Sequence, residues 1–131
     1  MSNEEIVKMY FGYFLKGDTA KALELLNDNA VWLVKGSQNV PTVGRRKGKD
    51  EIVDFFRKFT QNFEPKEFNI KHYFAKENLV IVIGDFTHFV KPTSKLVSSD
   101  WMIEFIVEEG KICSYRILED SYALYLAFLN D

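Results

Sequence analysis

The chain has 131 residues, 47% hydrophobic and 27% charged, and its 17 Lys and Arg against 19 Asp and Glu leave a formal charge of −2. That is the scale of one domain burying roughly two thirds of its unfolded surface, with no electrostatic footprint for nucleic acid or a membrane surface. A single cysteine, Cys113, forms no internal disulfide and no metal cluster, the start MSNEEI is acidic rather than basic and then apolar, and no run of about eighteen apolar residues predicts a membrane span, so a cytoplasmic protein is expected.

Taken from the N-terminus, SNEEIVKMYFGYFLKGD predicts a helix opened by a capping box, with Ser2 at the N-cap and Glu5 three residues on. Ile6, Tyr10, Tyr13 and Phe14 recur at helical spacing and share a face. Gly17 suits the left-handed position that ends a helix, and Asp18 can cap a second, short helix carrying Ala22, Leu23 and Leu26. AVWLV, from Ala30 to Val34, is a β-rich run that leads into the loop KGSQNVPTVGRRKGK. Helical period returns in DEIVDFFRKFTQNF, which sets Ile52, Phe55, Phe56, Phe59 and Phe63 on one side until Pro65 stops it.

Beyond Pro65 the period is two. In EFNIKHYFA the set Phe68, Ile70, His72 and Phe74 alternates with Asn69, Lys71 and Tyr73, and the first set is expected to face the core. In LVIVIGDFTHFV the more apolar set is Val80, Val82, Gly84, Phe86, His88 and Val90. A three-residue turn at Lys76, Glu77 and Asn78 that pairs Ala75 with Leu79 would bring both sets to one face. After the loop KPTSKL a strand from about Val97 to Val107 turns Trp101, Ile103, Phe105 and Val107 one way and Met102, Glu104 and Ile106 the other. A two-residue turn at Glu109 and Gly110 begins the last strand. Helices followed by an antiparallel meander predict an α+β fold with the helices on one face of a curved sheet.

These residues resemble a family. A helix ending in KGD, a second helix leading to NDNAVWLV, the segment GRRKGKDEIVDFF and a final W…F…EEGKI…Y…ED hairpin are similar to the nuclear transport factor 2-like superfamily, particularly its SnoaL-like and ketosteroid-isomerase-like members. The resemblance runs over nearly the whole chain. It implies a single SnoaL-like domain over residues 1–131, cystatin-like in outline, in which a strongly curved, mostly antiparallel sheet wraps around three helices as a cone. It also implies a deep apolar pocket at the open end and homodimerisation through the outer sheet face. Such proteins include isomerases, cyclases, epoxide hydrolases and ligand binders.

The resemblance carries over unevenly to particular residues. The oxyanion-donating tyrosine of the ketosteroid isomerases lies seven residues before the Gly of the Gly-Asp turn, a position matched by Tyr10 before Gly17. Their general-base aspartate falls six residues beyond Asp28, at Val34, which cannot accept a proton. Their second oxyanion donor falls near Trp101 or Met102, beside Asp100. Steroid isomerisation is therefore not expected. The hydrolase and cyclase branches place a working Asp in a pattern similar to YRILED, and Asp120 matches it. The Arg and second Asp that accompany it in the hydrolases have no counterpart in WMIEF.

Strand pairing extends the reading without the family. If Glu109 and Gly110 form the turn, Glu108 pairs with Lys111, Trp101 faces Leu118, Ile103 faces Arg116 and Ser99 faces Asp120, all on the inner face. Lining up the apolar faces of the two preceding strands sets Phe86 opposite Trp101 and His88 opposite Ser99. The expected result is a polar row of His88, Ser99 and Asp120 whose outer backbones stand roughly 10 Å apart. Asp120 is then the acid or base, its charged form disfavoured by an apolar setting, with His88 as partner and Tyr10 polarising a carbonyl or epoxide oxygen. Alternation sends Glu119 outward with Cys113, Tyr115 and Ile117, and these apolar residues with Met102 and Ile106 suggest a sheet-to-sheet dimer.

Each choice has a plainer alternative. Asp120 is also a favoured N-cap for SYALYLAF. His72 and His88 can each be core histidines bonded to backbone. Arg116 needs a partner or an anionic ligand if inward, and one slip of register turns it to solvent. Trp32, Trp101, Phe14, Phe55, Phe59, Phe74, Phe86 and Phe105 are wall residues in an open cone and core in a closed one. GRRKGKD lacks the spacing of a phosphate loop, and no metal set or cofactor is implied. The expected ligand is a small hydrophobic molecule that the protein isomerises, cyclises or hydrates, or else binds without turnover.

Overall fold

Polar side chains set the first two helices. In a computed structural model describing residues 1–130, the Ser2 hydroxyl accepts from the Glu5 amide and the Glu5 carboxylate accepts from the Ser2 amide, both at 3.1 Å, which opens α1, Asn3–Leu15. Gly17, at φ 77°, lets the chain leave that helix, and Asp18 Oδ1 caps α2, Thr19–Glu24. The rest follows as β1 (Leu26–Val34), β2 (Gly44–Lys47), α3 (Lys49–Asn62), β3 (Phe63–Lys76), β4 (Leu79–Val90), β5 (Lys95–Glu108), β6 (Lys111–Glu119) and α4 (Ser121–Ala127).

The six strands form one curved, unclosed sheet in the order β2-β1-β6-β5-β4-β3. All neighbours are antiparallel except β1 and β6, which run parallel. α1 packs on β3 through β6 and α3 on β1 through β3, so the helices share one face, as the α+β expectation had it. Tyr10, Trp32 and Phe105 are sealed between the layers at 1%, 0% and 0% exposure. Among the described residues no helix is long and apolar enough to cross a membrane.

From sequence, GRRKGK is expected to be part of a loop. Gly44–Lys47 instead adds an edge strand to β1, with Arg46 opposite Trp32. Arg46 is buried because its guanidinium donates to the Thr42 carbonyl at 2.9 Å and to Asp54 at 3.4 Å, and a run of basic residues conceals that pattern.

Two bulges correct the expected registers. The β5–β6 turn is the predicted Glu109–Gly110 pair, both at positive φ, and Glu108 does pair with Lys111. Val107 then pairs with Ile112 but Ile106 with Ser114, leaving Cys113 as an extra residue. Every later side chain of β6 changes face. Tyr115, Ile117 and Glu119 turn inward, while Arg116 and Leu118 turn outward. Between β3 and β4 the turn has two residues rather than three, pairing Lys76 with Leu79, and a second irregularity falls between Ile70 and His72. Phe68 and Ile70 keep their expected inner position, Tyr73 joins them, and His72 and Phe74 are exposed. Phe86 pairs with Ser99, and Trp101 with Gly84, two residues along from the predicted match.

Candidate functional site

Helices α1 and α3 do not fill the concave face completely. They leave a cavity of about 60 Å³ whose walls are Tyr10 and Phe14 from α1, Phe55 and Phe59 from α3, and Trp101 and Tyr115 from the sheet. Phe86, His88, Ile103 and Glu119 complete the sheet side, with Thr42 from the segment before β2. The rings pack edge to face and in offset stacks, Phe14 on Phe59 with centroids 5.1 Å apart and Trp32 on Tyr115 at 4.5 Å. Trp32 and Phe105 thus stand behind the wall, holding Tyr10 and Tyr115 in place.

The expected polar row is replaced. Asp120 accepts from the Ala123 amide at 3.0 Å as the N-cap of α4, so its carboxylate is engaged at the helix start. Ser99 accepts from the Asp120 amide at 2.8 Å and donates to the Asp100 carbonyl at 2.6 Å, which ties the strand end to the cap. Arg116 lies on the outer face against Glu104, 3.6 Å away and directly paired with it across the strands. His72 and Phe74 lie against each other on the exposed side of β3.

The carboxyl that does reach the cavity is Glu119. Part of its surface borders the open space, yet protein atoms surround it, and among the described residues no donor or cation pairs with it. Desolvation lifts its pKa from 4.5 to about 7. Burial also raises the Tyr10 and Tyr115 hydroxyls above their ordinary value, with the nearby Glu119 charge adding to the effect at Tyr115, so both phenols stay protonated. Trp32 Nε1 lies toward the Tyr10 hydroxyl without closing a hydrogen bond. His88 stacks on Phe86 at 4.1 Å and meets Phe59 edge-on, and burial lowers its pKa from 6.5 to about 4. Its Nδ1 and Trp101 Nε1 have no hydrogen-bond partner among the described residues. Near neutral pH the cavity holds a neutral histidine, two phenols and a carboxyl balanced between its two protonation states.

Of the residues expected from sequence, Tyr10, Phe14, Phe55, Phe59, Phe86, His88, Trp101 and Ile103 meet at this cavity. The cavity residues not expected from sequence include Glu119, Tyr115, Ile117 and Phe11. A signal for three of them was present: Ile112 and Tyr115 are three apart and Tyr115 and Ile117 two apart, a break in alternation that marks an extra residue.

A curved sheet with helices over one face and an acid in an aromatic cavity defines a cone protein of the nuclear transport factor 2-like kind. The SnoaL-like domain family matches residues 7–115, and the chain belongs to that family. Among solved structures, it is similar to a nuclear transport factor 2-like protein of Burkholderia xenovorans LB400, at 26% identity and a TM-score of 0.90 over 97% of this chain and 95% of that one. A candidate SnoaL-like polyketide cyclase of Mesorhizobium loti is 21% identical, with a TM-score of 0.72 over 90% and 99% of the two chains. A candidate isomerase of Bacillus subtilis is 21% identical, with a TM-score of 0.82 over 98% and 96%. No curated protein matches the chain.

Proposed function

We propose that the chain binds a small, largely apolar molecule in the cone and moves a proton on it, with Glu119 as the acid or base in the place expected for Asp120. The observation that carries this reading is the unpartnered Glu119 carboxyl in the cavity wall, whose pKa of about 7 suits proton transfer in either direction. In the isomerase or cyclase form of the reaction, the ionised carboxylate takes a proton from carbon next to a carbonyl. The protonated Tyr10 or Tyr115 hydroxyl donates to the oxygen on which charge develops, and the carboxylic acid returns the proton at another position. The named cyclase and isomerase relatives agree with that chemistry by fold alone. Hydrogen–deuterium exchange into butan-2-one or cyclopentanone, followed by NMR, tests it. The wild-type chain and Asp120→Asn should speed exchange over buffer while Glu119→Gln does not, and equal rates in wild type and Glu119→Gln would overturn the assignment.

A second reading is a binding module without turnover. It is favoured by the size of the cavity, about 60 Å³ against the 300–1,000 Å³ common for ligand sites, because its own rings fill most of the cone. For either reading we infer a homodimer formed through the outer sheet face, where Met102 and Leu118 stand 39% and 38% exposed beside Ile81, Ile83 and Ile106. Size measurement by light scattering checks this, and a monomer at micromolar concentration would refute it.

A further inference from the structure

We propose that the cavity selects molecules carrying a protonated nitrogen, seating the ammonium group against the Glu119 carboxylate among the aromatic faces. This rests on the cavity being the binding site, as proposed above, and deepens that reading by naming the class of molecule.

Among the described residues Glu119 is the only cavity-lining group that carries a charge near neutral pH, and no Lys or Arg lines the space. Arg46 faces the Phe55 ring of the wall at 5.6 Å but is committed to the Thr42 carbonyl, the Pro41 carbonyl and Asp54. The other titratable groups around the space are Tyr115 on the same strand, Tyr10 from α1 and His88 on β4, all neutral near neutral pH. The helix α3 and the segment before β2 add Phe55, Phe59 and Thr42, without charge.

Three ligand classes then separate. An organic anion would leave water for a site that offers it no counter-charge and one like charge. A neutral molecule would leave the Glu119 carboxylate as poorly solvated as it found it. An ammonium group supplies the missing counter-charge in a medium where Coulomb attraction is stronger than in water, and the ring faces of the wall attract the same cation. A carboxylate has two oxygens, so seating an ammonium on one leaves the other for the proton transfer proposed above.

The test is a titration of the 15N-labelled chain, by NMR, with isobutylamine, isobutanol and isobutyrate, which differ in charge and little in shape. At about pH 8 isobutylamine is expected to bind about tenfold more tightly than isobutanol, and isobutyrate to leave the cavity resonances unmoved. The advantage of the amine should fall about tenfold or more at about pH 5.5, where Glu119 is protonated, and vanish in Glu119→Gln while isobutanol binding persists. Equal affinity for amine and alcohol, or a preference for amine that survives Glu119→Gln, overturns the inference and leaves cavity binding intact. Failure of all three compounds to perturb the cavity overturns both.

Discussion

Trp101 and Glu119 are paired directly across β5 and β6, so an indole and a carboxyl stand side by side on the concave face of the sheet. The pairing explains the acid's unusual state. A large apolar neighbour removes water from the carboxyl and supplies no compensating charge, and Trp101 is itself only 3% exposed.

Replacing Glu119 by Gln should stabilise the fold in a pH-dependent way. The folded-state pKa of about 7 exceeds the ordinary value of 4.5, so the folded chain holds a proton that the unfolded chain has released, and stability falls as pH rises through that interval. The full penalty, about 3 kcal/mol, applies above neutrality. Urea midpoints should therefore favour Glu119→Gln above about pH 7 and coincide with wild type near pH 4. A constant offset at every pH would contradict the assignment.

His88 acts in the opposite sense. Its pKa is lowered from 6.5 to about 4, so the unfolded chain binds the proton first and stability is lost as pH falls through that interval. In the wild-type chain the two effects overlap and largely cancel between about pH 4.5 and 6.5. Glu119→Gln should uncover the histidine as a steep loss of stability on acidification, and the His88 ring signals should titrate only near pH 4.

Asp120→Ala should cost about 1 kcal/mol by removing the cap of α4, and Asp120→Asn much less, because Asn caps almost as well. Neither should alter binding in the cavity. Thermal unfolding and the ligand titrations read the two effects separately, and loss of binding in Asp120→Asn would return the site to that residue.

Gly84→Ala should be harmful beyond its size. A Cβ at Gly84 would meet the Asn69 carbonyl and the Trp101 ring, one of them backbone that cannot step aside. The indole would be driven toward the cavity. About 1–3 kcal/mol of stability should be lost, with a shift in tryptophan emission and weaker binding.

Element types were legible wherever period and caps agreed, as at Ser2, Asp18 and the alternation of β5. Registers were legible only up to the first irregularity. The turn at Glu109 and Gly110 was read correctly, yet Cys113 moved every later side chain, because a strand's face depends on counting residues and a bulge adds one. Burial preference opposed the uninterrupted count, since that count turned Arg116 inward and Tyr115 and Ile117 outward. In β3 a shorter turn and an added residue offset each other beyond Lys71, which is why Phe68 and Ile70 were placed well while His72 and Phe74 were not. Edge strand β2 was hidden because its pairing partner, β1, lies elsewhere in the chain and its own residues are charged.

The bulge at Cys113 makes the identity of the acid that faces the cavity a matter of phase. With every residue kept, drawing Cys113 into the ladder opposite Ile106 would shift the later pairing by one residue, set Leu118 opposite Trp101 and present the shorter carboxylate of Asp120 in place of Glu119. The same shift would carry Arg116 into the apolar interior and move Tyr115 out of its stack on Trp32. Loss of Cys113 itself would join Ile112 to Ser114, opposite the consecutive Val107 and Ile106, and leave Glu119 paired with Trp101, so it is the bulge and not the length of the hairpin that keeps these residues in place.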